Sequence, residues 1–437
     1  MTPSRTVDAQ PGPNGVDPPP IQVVGCDASG FNGLTRTWQE SLGQADLVVA
    51  PARLLDDLGR QLKTASPGGG PTLLASDALI PLLSRLRLAL ERSETVIVLA
   101  SGDPLWFGIG RMLLHHLPPG CLRFHPAPTS LQLAFARLGR PWQDARWVSL
   151  HGRDPEPLAQ ALQQRPAALG VLCDPDQGGA QSVRLLLASS GLEAAYHFWL
   201  AERLGHPDER LRCLAPADPL PSDLDRLHLV VLIAAAPTAP EAETLPLFGL
   251  EDGLWLQHED QPGLMTKREV RIQLLADLDL PERGVLWDVG AGVGSVGLEA
   301  LRLRPQLQLW AIERRVGAAA LIGANAARLQ VHPAGILEAE APAALAGWPD
   351  PVRVLIGGGG RRRDALLEAV LQRLRPGGIV VVPLATLEAL APMRQAMEQA
   401  GLQVGINQLQ AWRGTPLGDG TRLMPLNPVL VLRGRRI

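Results

Sequence analysis

Hydrophobic residues recur along this chain in short runs of about five, separated by stretches with helical spacing. Ile21–Gly25 reads as a strand followed by a turn through Cys26–Gly33. Leu34 to Ala45 has helical character, and Asp46–Ala50 is a second strand. Residues 67–72 form an exposed loop of Pro, Gly and Thr. Thr95–Ala100 is an apolar β-like run that stops abruptly at Ser101-Gly102-Asp103-Pro104, and further strands are predicted at Arg146–Leu150, Gly170–Asp174 and His228–Ala234. The periodicity fades over residues 236–261, where Pro, Ala and Glu accumulate. That stretch is expected to be a linker whose Leu245–Leu250 and Leu254–Leu256 pieces pack on a neighbour.

Beyond it an amphipathic helix is predicted from Met265 to about Leu278. Strands follow at Val285–Val289, Leu307–Ile312, Val352–Ile356 and Ile379–Pro383. Two late runs, Val404–Leu409 and Pro428–Leu432, flank a glycine-rich turn and suggest a closing hairpin. Alternating strands and helices of this kind predict an α/β chain, its second half a doubly wound sheet with one reversed edge strand. The expected organisation is a disordered tail (1–20), a first domain (21–235), the linker (236–261) and a second domain (262–437).

The turn after Val285–Val289 carries the most chemistry. Gly290, Gly292 and Gly294 let the backbone turn tightly and approach a ligand where a Cβ would clash. Gly292-x-Gly294-x-x-Gly297 also fits a dinucleotide fingerprint. Two acidic residues favour S-adenosylmethionine (SAM). Asp288 at the strand end can face the cationic methionine end of SAM, where a pyrophosphate would be repelled. Glu313, ending the next apolar run, can accept from a ribose diol. Nicotinamide binding, and glycines that serve only helix–strand packing, stay open beside it. A second ligand position is suggested by Gly102-Asp103-Pro104 at a strand's carboxyl end, for which a plain turn is the alternative.

Composition narrows the classes. The chain has 437 residues, enough for two or three domains, with 45 Gly and 40 Pro. Lys and Arg total 41 against 44 Asp and Glu, and the net charge of −3 predicts no bulk attraction to nucleic acid. The basic residues are mostly Arg, suited to bidentate recognition of carboxylates. Cys26, Cys121, Cys173 and Cys213 form no CxxC pair, and the histidines have no metal-ligand spacing, so neither a metal nor a disulfide framework is expected. Without a run long enough for a membrane span, or an apolar signal segment, a cytoplasmic protein is expected.

Several motifs together resemble a known family, the fused C5,15-methyltransferases (decarboxylating) of corrin-ring biosynthesis. Residues 21–235 resemble a tetrapyrrole methylase domain. The match rests on Val24-Gly25, Gly33-Leu34-Thr35, Ala45-Asp46-Leu47-Val48-Val49, Ser101-Gly102-Asp103-Pro104, Pro128-Thr129-Ser130, Ser149-Leu150-His151-Gly152-Arg153 and Gly205-His206-Pro207. Residues 262–437 resemble the partner C15-methylating domain through Met265-Thr266-Lys267-Arg268-Glu269, the glycine turn, Ala311-Ile312-Glu313-Arg314, Asn325, Ala341-Pro342, Ile356-Gly357-Gly358-Gly359 and Asn427-Pro428. The chain departs from the family pattern at Gly25-Cys26-Asp27, at Glu338-Ala339-Glu340 and in the basic stretch Arg361-Arg362-Arg363.

The resemblance implies a two-lobed α/β tetrapyrrole methylase domain joined to a Rossmann-like SAM methyltransferase domain with a mixed sheet. It implies SAM as cofactor, a precorrin as partner, and a homo-oligomer. Gly290, Ala291, Gly292, Val293, Gly294, Gly357 and Glu313 would hold SAM in the second half, with Thr266 and Ala341 at the site's edge and Asp288 orienting the loop or the amino group of SAM. Gly25, Gly102, Asp103, Thr129 and Ser130 would do so in the first. The implied reaction is methylation of precorrin-6B at C5 and C15 with loss of the ring C acetate carboxyl, giving precorrin-8x. Alternatives are the cobalt-containing counterpart of these steps, an NAD(P)-linked tetrapyrrole reductase, or a silent tetrapyrrole carrier. A substrate edged with acetates and propionates calls for cations, for which Arg268, Arg271, Arg361–Arg363, Arg413 and Arg422 are candidates alongside ordinary surface roles. Trp106, Trp255 and Trp412 are candidates to face a flat macrocycle, beside the alternative of plain packing.

Overall fold

The computed structural model describes residues 20–65, 70–152, 154–216, 218–241, 244–357, 363–417 and 420–437. The expected tail up to residue 19, residues 67–69 of the 67–72 loop, and Arg153, Gly358, Gly359, Arg361 and Arg362 lie outside the described residues.

The first half contains two sheets. In the first lobe, β1 (Ile21–Cys26), β2 (Leu47–Ala50), β3 (Thr72–Ala75), β4 (Val96–Ser101) and β5 (Leu122–His125) form a parallel sheet in the order β3-β2-β4-β1-β5. Its central strands are apolar on both faces, as β2 illustrates with four buried residues, because helices cover both sides. The second lobe orders β6 (Arg146–Ser149), β7 (Ala168–Leu172), β8 (Tyr196–Glu202), β9 (Arg210–Leu214) and β10 (His228–Ala234) as β6-β7-β10-β8-β9. Only β6 and β7 run parallel there.

The second half is built on β11 (Gly284–Val289), β12 (Leu307–Glu313), β13 (Gly335–Glu338), β14 (Arg353–Ile356), β15 (Ile379–Leu384), β16 (Leu402–Leu409), the hairpin strands β17 (Trp412–Leu417) and β18 (Gly420–Pro425), and β19 (Val429–Arg436). The main sheet runs β13-β12-β11-β14-β15-β19-β16. The reversed strand is not at the edge as expected. β19 lies between β15 and β16 and pairs antiparallel with both, its Val431 and Leu432 fully buried. The segment between β16 and β19 is more than a turn, because it forms the separate hairpin β17–β18.

That hairpin packs on the second lobe. Met424 joins the lobe's hydrophobic core, and Arg422 holds Asp154 with both terminal nitrogens, one at 2.6 Å. The linker is also drawn in. Leu250 and Trp255 are 0% and 2% exposed within the core beneath the glycine turn, and Leu245 and Leu254 pack at its margin. The predicted helix before β11 spans Arg268–Asp277.

Candidate cofactor sites

In the second half the glycine turn sits at the carboxyl ends of β11, β12 and β14, where ligands bind in open α/β sheets. Gly290 and Ala291 donate to the Ile312 carbonyl (2.8 and 3.0 Å), fastening the turn to β12, and Gly294 donates to Ala291 O (2.8 Å). Gly290, Gly292 and Gly294 have φ of 77°, 59° and 82°, a region that L-residues avoid. Gly357 donates to Val289 O (2.8 Å), which brings β14's end so close that a Cβ on Gly290 would lie 1.9 Å from Gly357 O. A Cβ on Gly292 would meet nothing within 4 Å. The turn is therefore closed behind Gly290 and open in front of Gly292.

Glu313 borders that opening. Its Oε2 accepts from Gly292 N (2.9 Å), and its Oε1 accepts from Arg314 N and Arg315 N. Ala339 donates to the Glu313 carbonyl (3.1 Å), which puts Ala341 at the same strand-end rim. Thr266 stands just ahead of the helix Arg268–Asp277, its carbonyl accepting from Arg271 Nη1 (2.7 Å). Val293 is 1% exposed, so it supports the turn from the core and does not line the opening.

Of the two roles expected for Asp288, its geometry agrees with orienting the loop and not with a carboxylate that faces a ligand's cation. Asp288 is buried and its Oδ2 accepts from Gly297 N (3.1 Å), so it ties the strand to the first turn of the helix Ser295–Leu303. Burial pushes its carboxyl up to about 7; the Gly297 amide works against this and the Glu313 charge adds to it.

Of the arginine candidates for the substrate, Arg271, Arg413 and Arg268 are engaged within the protein. Arg271 is fully buried. It donates to Glu299 Oε1 (2.6 Å), Asp252 Oδ1 (3.2 Å), Thr266 O and Leu250 O. Arg413 clamps Glu269 through Nε and Nη2 (2.8 Å each), reaches Asp252 Oδ2 (3.2 Å), and donates to Ser190 O in the second lobe (2.8 Å). Burial disfavours ionised Glu269, but Arg413 outweighs that and holds its carboxyl below the usual range. Arg268 bonds Gly249 O (2.6 Å) in the linker. Among the tryptophans, Trp255 is buried beneath the Arg271 guanidinium, Trp106 packs edge-on against Phe107 and Trp147, and Trp412 is half exposed. Sequence reasoning gave Asn325 no role. Its amide bridges Leu256 and the Val293 carbonyl, bracing the glycine turn against the linker.

The first half has a corresponding junction where β1, β4 and the helix Ser130–Leu138 converge. Gly102 donates to Cys26 O (2.7 Å) and has φ of 65°. A Cβ on Gly25 would lie 2.1 Å from Gly102 O, and one on Gly102 would lie 3.0 Å from Thr129 Cα. Thr129 caps the helix: its Oγ1 accepts from Gln132 N (3.1 Å) while Gln132 Oε1 accepts from Thr129 N (2.8 Å). Asp103 Oδ1 accepts from Leu105 N (2.9 Å), a turn-stabilising role, and Ser130 is the first residue of the capped helix. The five predicted residues are thus brought together, with the Thr129 and Asp103 side chains serving the backbone. The described residues contain no cluster that could hold a metal ion, and no helix among them is long and apolar enough to cross a membrane.

The chain thus joins two α/β units, each with a glycine-lined junction at the carboxyl ends of its strands. Residues 21–216 match the tetrapyrrole (corrin/porphyrin) methylases, and residues 257–436 match the precorrin methyltransferase domain. A precorrin-6Y C(5,15)-methyltransferase [decarboxylating] of Sinorhizobium sp. is 34% identical over 94% of this chain and 95% of its own length. A cobalt-precorrin-6B C(15)-methyltransferase (decarboxylating) of Salmonella typhi is 37% identical over 42% of this chain and 94% of its own length. The crystal structure of a Geobacter metallireducens precorrin-6y C5,15-methyltransferase is 30% identical, covering 44% of this chain and all of that one with a TM-score of 0.41. The chain belongs to the precorrin-6Y C5,15-methyltransferase (decarboxylating) family and is a methyltransferase.

Proposed function

We propose that this chain methylates precorrin-6B at C5 and C15 and removes the ring C acetate carboxyl, drawing both methyl groups from SAM. The observation that carries this reading is the match to a precorrin-6Y relative along 94% of the chain, through both halves. The relative matched through both halves is named for a precorrin without cobalt, which favours the cobalt-free substrate.

SAM suits the second-half turn on structural grounds. The open side of Gly292 is a cradle that a Cβ would begin to fill, and the Glu313 carboxylate at its rim can accept from hydroxyls. Gly290–Gly294 would cradle the cofactor, with Glu313 beside its ribose and Thr266, Ala341 and Gly357 at the margin. Gly25, Gly102 and Thr129 would form the close-packed wall of the first-half site. Bound SAM supplies an electrophilic methyl group. The meso carbons of a partly reduced tetrapyrrole are enamine-like nucleophiles, so the protein's task is to position them and exclude water. That accounts for sites built from backbone turns in place of a catalytic triad.

Incubating the purified chain with SAM and precorrin-6B, followed by mass spectrometry, tests the proposal. The expected product has gained two methyl groups and lost carbon dioxide. An unchanged substrate, or tight NADPH binding without SAM binding, refutes it.

A further inference from the structure

Arg53 lies at the carboxyl edge of the first-lobe sheet, on the helix Ala52–Ala65 that follows β2. Its Nη2 donates to Ser101 Oγ (2.8 Å), and Ser101 is the last residue of β4, immediately before Gly102 of the first-half junction. The guanidinium therefore stands beside the candidate cofactor turn. Among the described residues it forms no ion pair. By contrast, Arg203, Arg210 and Arg212 of the second lobe are each held by carboxylates.

The surroundings of Arg53 are those of a cleft. The residue is exposed to solvent, yet enclosure by protein is the main influence on its guanidinium and lowers its pKa. Asp77 and Asp225 act on it through their charges, and Asp225 belongs to the second lobe. The lobes are pinned at this level, where Ala28 donates to Leu204 O (3.2 Å) and Ser29 Oγ to Gly205 O (2.5 Å). Neither nearby carboxylate comes within ion-pair distance of Arg53, and each is bonded to other groups. Asp77 Oδ2 accepts from Ala52 N (2.8 Å), while Asp225 accepts from Leu227 N (2.7 Å) and lies against Arg203.

We propose that Arg53 binds a peripheral carboxylate of the tetrapyrrole between the two lobes and is a substrate-recognition residue of the C5 step. The assignment rests on the reading that this half methylates C5. A guanidinium with one nitrogen on a hydroxyl keeps further donors in a planar fork that matches a carboxylate. Ser101 fixes the orientation of that fork next to the turn that would hold the methyl donor.

The test compares wild type with Arg53→Ala, Arg53→Gln and Arg53→Lys, all as the full chain. C5 and C15 methylation are followed separately by mass spectrometry, and SAM affinity is measured by calorimetry. Loss of one charged hydrogen-bonded contact raises KM for the tetrapyrrole in the C5 step about tenfold to a hundredfold in the Ala and Gln variants. Lys recovers part of it, and SAM affinity and the C15 step hold at wild-type values. Unchanged KM in folded Arg53→Gln overturns the assignment. So does a parallel fall in SAM affinity, which would make Arg53 a prop for the Ser101–Gly102 turn. Wild type that methylates neither carbon defeats the functional reading instead.

Discussion

Replacing Gly292 with alanine separates the folding role of the glycine turn from its ligand role. At φ of 59° an alanine costs roughly 1–2 kcal/mol in backbone strain, and its Cβ touches nothing within 4 Å, so the domain still folds. The new methyl group does occupy the space in front of the turn where SAM would lie. Intrusion of one methyl group into a fitted contact costs about 1–3 kcal/mol, or roughly tenfold to a hundredfold in affinity. Calorimetric titration of the full chain with SAM should show one of two sites weakened by that factor. Product mass should show C15 methylation lost at limiting SAM with C5 methylation intact, and thermal unfolding should register only the strain. An unchanged C15 rate would refute the placement of the ligand in front of Gly292. Equal loss of C5 and C15 would refute two independent sites.

Gly290→Ala should behave oppositely. Its Cβ would meet a backbone oxygen at 1.9 Å that no side-chain rotation can relieve, so the melting temperature of the second half falls sharply whether or not SAM is added. Arg413→Ala leaves Glu269 without its cation and Asp252, 2% exposed, with Arg271 alone, and should cost about 1–3 kcal/mol in denaturant unfolding. Asp288→Asn should change the pH profile of stability. A carboxyl whose pKa is raised to about 7 in the fold binds more protons there than in the unfolded chain. It therefore costs stability progressively as pH rises from about 4 to about 7, up to roughly 4 kcal/mol. The Asn variant escapes that cost, so its advantage grows over this window and is flat above it; an advantage independent of pH contradicts the assignment.

The glycine turns were legible in the sequence because their cause is local: a tight left-handed bend after an apolar run calls for glycine wherever it occurs. The direction in which Asp288 points was not. A carboxylate at a strand end can face outward to a ligand or back into a helix's first turn, and the choice here follows from Gly297 lying above it without a side chain. Thr129 carried a readable signal, since Thr-x-x-Gln at a helix start is a capping box. The hairpin β17–β18 was hidden because its strands do not alternate cleanly, and it gains its apolar partner only from the second lobe through Met424. The short strands β3, β5 and β13, of four residues each, take their pairing from neighbours more than from their own pattern.

Arg271 and Arg413 misled for a reason with consequences for the enzyme. Both bind Asp252, a residue of the linker, through its two oxygens. Arg271 continues to Glu299, on the helix that begins at the glycine turn, and Arg413 continues to Ser190 in the second lobe. A mostly buried network of ion pairs and hydrogen bonds thus joins the helix that follows the glycine turn to the first half through the linker. Buried ion pairs of this kind often contribute little net stability compared with apolar packing of equal volume, yet breaking one is costly. What such a cluster does well is reject other dockings, because any shifted arrangement strands a charge out of water. Arg271 and Arg413, two of the cations that the sequence offered for the substrate, thus serve the contact between the halves. Arg53 differs from both: its guanidinium bonds a hydroxyl, Ser101 Oγ, and forms no ion pair among the described residues, which is why the proposed carboxylate contact is placed there.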